Sequence, residues 1–77
     1  MDSKGAEIKA REYIEKKYAR LERVFFSNMY KEGNVWVLKG EVEFKRAYFF
    51  TQMRTIEVQV NMNTSEIYSY KEEKRSP

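Results

Sequence analysis

Apolar and polar residues alternate through two long runs in the second half of the chain. These are Val35-Trp36-Val37-Leu38-Lys39-Gly40-Glu41-Val42-Glu43-Phe44 and Ile56-Glu57-Val58-Gln59-Val60. A period of two is the mark of a half-buried antiparallel strand. It places Trp36, Leu38, Gly40, Val42 and Phe44 on one face, with Lys39, Glu41, Glu43 and Lys45 on the other. Ahead of these runs the period changes. Ala6, Ala10, Tyr13, Ile14, Tyr18, Leu21 and Phe25 recur at spacings of three and four, the apolar stripe of a helix.

The pattern predicts a helix over about residues 4–21, capped by Asp2 or Ser3. Glu7 with Arg11 and Glu12 with Lys16 add i,i+4 pairs on its wet side. Strands follow at about 23–30, 35–45, 48–61 and 67–71, and a charged tail over 72–77 is expected to fray. The first strand has no clear face, because Phe25 and Phe26 are both apolar. Lys31-Glu32-Gly33-Asn34 supplies a hairpin turn, Arg46-Ala47 the next, and Asn61 to Glu66 the last. The expected fold is α+β: one N-terminal helix packed on a curled four-stranded antiparallel β-meander, a single domain over 1–77.

Length constrains this arrangement. A strand from Val35 to Lys45 spans about 36 Å, whereas a helix of about 18 residues spans about 27 Å. The long hairpin must overshoot the helix or curl around it. Gly40, in mid-strand, is where a bulge or bend costs least.

Composition narrows the chemistry. The chain has 77 residues, so it buries only about 60% of its unfolded surface. It has no Cys and no His, which removes disulfides, thiolate metal sites and the usual general base. No P-loop, nucleophile–base pair or metal-ligand spacing is present. Glu41 and Glu43 share a face one pleat apart, and nothing in the sequence suggests more than a solvated strand face. No catalytic residue, cofactor or metal site is predicted, and the chain is read as a non-enzymatic module. Abundant Lys, Glu and Arg is a thermophile style of composition. The polar N-terminus lacks a signal-peptide core, and no apolar run reaches the ~18 residues of a membrane span. A cytoplasmic protein without membrane contact is expected.

A helix followed by a curled antiparallel meander is the cystatin-like arrangement. More narrowly, the chain resembles the PepSY-type domains, in which a helix precedes a "W-x-V" strand and a later strand ends in a "V-x-x-x-T-G-E-I" turn. The matching residues are Trp36-Val37-Leu38 and Val60-Asn61-Met62-Asn63-Thr64-Ser65-Glu66-Ile67. Ser65 departs from the pattern, standing where that turn usually has Gly. The resemblance implies a binding or protease-regulating module and transfers no catalytic residue.

The candidate interaction site is the tip of the second hairpin: Lys45, Arg46, Tyr48, Phe49, Met53 and Arg54. Tyr48, Phe49 and Phe50 are consecutive, and successive strand side chains alternate, so they cannot all point inward. Aromatics beside Arg are typical of interface cores. The tip, or a free sheet edge, is therefore expected to bind a protein partner or a second copy, unless the sheet folds the tip back over the helix end. The alternative is a small basic nucleic-acid-associated protein, since basic-aromatic strands stack on bases. Against it, the charge is only +3 and the polar strand face mixes both signs, so a phosphate backbone would meet carboxylates there. Lys16, Lys17, Arg20 and Arg23 form a second basic patch, which the helix dipole explains.

Overall fold

The computed structural model describes residues 2–47 and 50–74. One helix, α1 (Ser3–Lys17), is followed by four strands, β1 (Leu21–Glu32), β2 (Val35–Lys45), β3 (Thr51–Asn61) and β4 (Ile67–Lys74). The strands form one antiparallel sheet in the order β1-β2-β3-β4, so β1 and β4 are open edges. The expected α+β architecture is present, and its sheet is not closed into a barrel.

Asp2 caps the helix, its carboxylate accepting from the Gly5 N–H at 2.8 Å. Ala6, Ala10 and Ile14 lie at i, i+4 and i+8 and are fully buried. They meet Leu38, Val42, Ile56, Val58 and Val60 from the inner face of β2 and β3. Tyr18, Leu21, Val24, Phe26, Met29, Trp36, Phe44, Ile67 and Tyr70 pack around that core. The even-numbered set expected to face the helix does so. Arg11 makes the expected i,i+4 pair with Glu7 at 4.0 Å and also leans inward. It reaches the sheet, donating to the Val24 carbonyl at 3.3 Å and covering the Phe26 ring.

The helix is shorter than its apolar stripe suggests, ending at Lys17 and not near Leu21. Tyr18 is already extended (φ −111°, ψ 121°), because its ring stacks on Phe44 at 4.6 Å. Leu21 opens β1 opposite Phe44. β1 therefore runs longer than expected at both ends and narrows the first turn to Gly33-Asn34, with Gly33 at φ +63°. β4 continues to Lys74. Residues 72–74, expected to fray, are strand, paired with Ile56, Thr55 and Arg54.

Two irregularities bend β1, between Leu21 and Arg23 and between Phe26 and Asn28. Pairing with β2 ahead of the second resolves the Phe25/Phe26 ambiguity. Phe26 pairs with Gly40 on the helix side, while Phe25 pairs with Glu41 on the outer face and is 55% exposed. Gly40 lies opposite this bulge, as its mid-strand position suggested. At about 1.5 Å per residue the helix spans about 22 Å, against a molecule 40 Å long. The hairpin overshoot is real but supported: β2 is paired with β1 as far as Phe44, and the Lys45 N–H donates to the Arg20 carbonyl at 3.0 Å.

Candidate functional site

Of the six residues singled out at the hairpin tip, the four described ones, Lys45, Arg46, Met53 and Arg54, do not form one patch. Lys45 pairs with Thr51 across the hairpin, and its ammonium lies 3.5 Å from Glu22. The Arg46 N–H closes the tip on the Phe50 carbonyl at 2.9 Å, and Phe50 is two-thirds exposed. Tyr48 and Phe49 lie outside the described residues. Met53 pairs with Glu43 on the outer face, beside Arg23 and Phe25. Arg54 is on the opposite face, opposite Val42. Its Nε lies 3.7 Å from a Glu72 oxygen, Nη1 donates to Gln52 at 2.8 Å, and the guanidinium covers Phe44. With a side chain only 15% exposed, Arg54 joins sheet to core.

That ion pair belongs to a larger cluster between the end of α1 and β4. The Tyr18 and Tyr70 hydroxyls are 2.7 Å apart, and the Tyr18 hydroxyl also donates to the Glu72 carboxylate. Tyr18 has a single hydroxyl proton, so with that proton on the carboxylate Tyr70 is the donor to Tyr18. The Tyr70 ring meets Tyr13 at 5.3 Å and lies under the Lys17 ammonium at 5.0 Å. Burial, and then the Glu72 and Tyr70 contacts, push the Tyr18 phenol far above its usual range. Burial also raises Tyr70; the Tyr18 hydroxyl works the other way and the Glu72 carboxylate adds to the rise. Both phenols are thus neutral donors at ordinary pH. The cluster holds β4 against the helix through Tyr70 and Glu72. The sequence hid it, because Glu72 sits in a run, Lys71-Glu72-Glu73-Lys74, whose charge resembles a solvated tail. The one signal was the spacing of Tyr70 and Glu72, two apart and so on one face of a strand.

Among the described residues β4 presents an open edge. The Asn61 N–H points toward the β4 side, donating to the Glu66 carbonyl at 2.8 Å. Main-chain groups alternate in direction along an antiparallel strand. Gln59, Glu57 and Thr55 therefore bond toward β4, and their partners Ser69, Lys71 and Glu73 bond back. The N–H and C=O groups of Tyr70, Glu72 and Lys74 are left pointing away from the sheet. The irregularity in β4 lies between its pairings to Gln59 and Val60, at Tyr68, so Ser69–Lys74 is a regular stretch. The β1 edge carries two irregularities, which interrupt pairing.

The outer face beside this edge is polar. A depression of about 300 Å³ lies there between Lys39, Thr55, Glu57, Lys71 and Glu73. Glu57 is held by Lys39 at 3.7 Å and by Gln59 at 3.1 Å. Lys71 sits opposite Glu57 and Glu73 opposite Thr55, and neither forms an ion pair with a described residue. Among the described residues no group of three acidic, His or Cys side chains is placed to hold a metal, and no helix is long and apolar enough to cross a membrane. No protein-family model, curated protein or solved structure matches the chain.

Proposed function

We propose that this protein is a non-enzymatic protein-binding module that works by adding an extended strand to the β4 edge. The observation that carries the reading is the regular stretch Ser69–Lys74, anchored beside the end of the helix by Tyr18, with the main-chain groups of Tyr70, Glu72 and Lys74 unpaired among the described residues. An open edge of this kind is a template for an incoming strand: main-chain bonds supply affinity and alternate side chains supply selectivity. The PepSY-like and cystatin-like pattern of the chain agrees with a binding role. The small core is a second support. Among the described residues it contains eight buried ones, two of them alanines, so covering an edge adds stability that the isolated domain has little of.

The test is selection of binders from a displayed library of unstructured peptides, followed by chemical-shift mapping of the strongest. The reading expects the largest shifts along Ser69 to Lys74, with smaller ones along β1. Shifts centred on the β2–β3 tip or on the outer face of β2 would replace the edge with those surfaces.

A further inference from the structure

The geometry points to a specific occupant for the β4 edge: the same strand of a second copy, antiparallel, with Lys71 of each chain opposite Glu73 of the other. This inference rests on the edge-binding reading above and names its partner.

A two-fold axis permits only certain registers. Two copies joined edge to edge by an axis perpendicular to the sheet extend it, outer face beside outer face. Facing residues must then lie on the same side of their strands, and outer residues Ser69, Lys71 and Glu73 can oppose only one another. Four registers use the regular stretch. Centring on Tyr70 sets Lys71 against the uncharged Ser69 and forms no charge pair. Centring on Lys71 sets Lys71 against Lys71. Centring on Glu73 sets Glu73 against Glu73. Centring on Glu72 sets Lys71 against Glu73 twice, once on each side of the axis.

Like charges directly opposite destabilise a ladder and opposite charges support it. Centring on Glu73 also sets Glu72 against Lys74, but Glu72 is already held by Arg54 and Tyr18, so the edge favours the register centred on Glu72. Both residues are available for it. Glu57, the carboxylate nearest Lys71 across the ladder, is already held by Lys39 and Gln59, and Glu73 faces the uncharged Thr55. The main chain agrees. The same register brings the outward groups of Glu72 onto those of its copy, and those of Tyr70 onto Lys74, giving on the order of six main-chain hydrogen bonds.

Glu72 meets its own copy at the axis on the helix face. That repulsion is reduced in advance, because each Glu72 is held by its own Arg54 at 3.7 Å and by the Tyr18 hydroxyl. The charged residues of β4 also act as a filter. They disfavour pairing with a neutral or unmatched strand and fit one partner in one register. The product is a continuous eight-stranded sheet with both helices on one side.

Charge exchange tests this on the full chain. Sedimentation equilibrium of the unaltered protein should show a monomer–dimer equilibrium that weakens with salt. Lys71→Glu alone and Glu73→Lys alone each turn two attractive pairs into two repulsive ones, and each should weaken the dimer on the order of tenfold or more. The double variant Lys71→Glu/Glu73→Lys restores both pairs and should recover most of that loss. Thermal unfolding of dilute samples separates loss of pairing from loss of fold: Glu73→Lys, facing the uncharged Thr55, should leave the midpoint nearly unchanged, whereas Lys71→Glu should lower it modestly by setting a carboxylate opposite Glu57, equally in the single and double variants.

A protein that stays monomeric at millimolar concentration, or a dimer indifferent to both single exchanges, overturns the inference. Failure of the broader reading looks different. If selected peptides still shift Ser69–Lys74 in a strictly monomeric protein, edge binding stands and the second copy is the wrong occupant. If neither copy nor peptide touches β4, both fall.

Discussion

The carbonyl oxygen of Phe25 lies 1.9 Å from the point where a Cβ on Gly40 would sit. The second β1 bulge and the mid-strand glycine are therefore one feature. The bulge drives the β1 main chain onto β2, and only a residue without a side chain fits beneath it. The next nearest atom, the Phe26 Cα at 2.8 Å, is also main chain, so no side-chain rotation relieves the clash. Gly40→Ala should destabilise the protein by about 2–3 kcal/mol, at the upper end of overpacking costs. Denaturant unfolding checks it. A loss below about 0.5 kcal/mol, the size of an ordinary surface change, would mean that the bulge relaxes without cost.

The Tyr18–Tyr70–Glu72 chain gives a second expectation. Tyr18→Phe keeps the stack on Phe44 and removes only the hydroxyl, so it should cost about 1–2 kcal/mol for the hydrogen bonds lost around a half-buried site. It also carries a pH signature. Both phenols have folded-state pKa values above the ordinary value of about 10. The unfolded chain therefore releases protons first as pH rises. The stabilisation is fully present below about pH 10 and is lost above it, as pH climbs toward the folded-state values. Unfolding measured between neutral pH and pH 11 should show a steep loss above pH 10 in the unaltered protein and a shallower one in Tyr18→Phe. Parallel curves would show that the network does not control the titration.

Ser65 occupies the left-handed region at φ +63°, and it is the non-glycine residue with positive φ among those described. A side chain there costs roughly 1–2 kcal/mol, which Gly avoids at the expense of a more flexible unfolded chain. Ser65→Gly should therefore raise stability by about 0.5–1 kcal/mol, read as a higher unfolding midpoint at unchanged slope. A lower midpoint would indicate that the serine side chain supports the turn.

The legible part of this fold is the part whose cause is local. Leu38, Val42, Ile56 and Val58 declare their face by parity, and Ala6, Ala10 and Ile14 by helical spacing. What was hidden depends on distant partners. Tyr18 fits the helical stripe, yet it leaves the helix for Phe44, Tyr70 and Glu72, up to 54 residues away. Phe25 and Phe26 take opposite faces by strand alternation, but only their pairing with Glu41 and Gly40 shows which of them faces the helix. Residues 72–74 lack the apolar alternation of a strand and become one because Ile56, Thr55 and Arg54 supply a ladder. The hairpin-tip site was assembled from neighbours in sequence. Strand alternation parts Met53 from Arg54, and the edge that replaces the tip as the proposed site is defined by main-chain groups, which composition does not reveal.

The central claim is that the outward amides of β4 are open in the isolated chain and become bonded when the module is occupied. Residue-resolved amide exchange measures this directly. In dilute protein, Lys71 and Glu73 should exchange slowly and Tyr70 and Glu72 quickly. At high protein concentration, or with a selected peptide, Tyr70 and Glu72 should slow to match their neighbours. Fast exchange at Tyr70 and Glu72 under every binding condition would contradict the account.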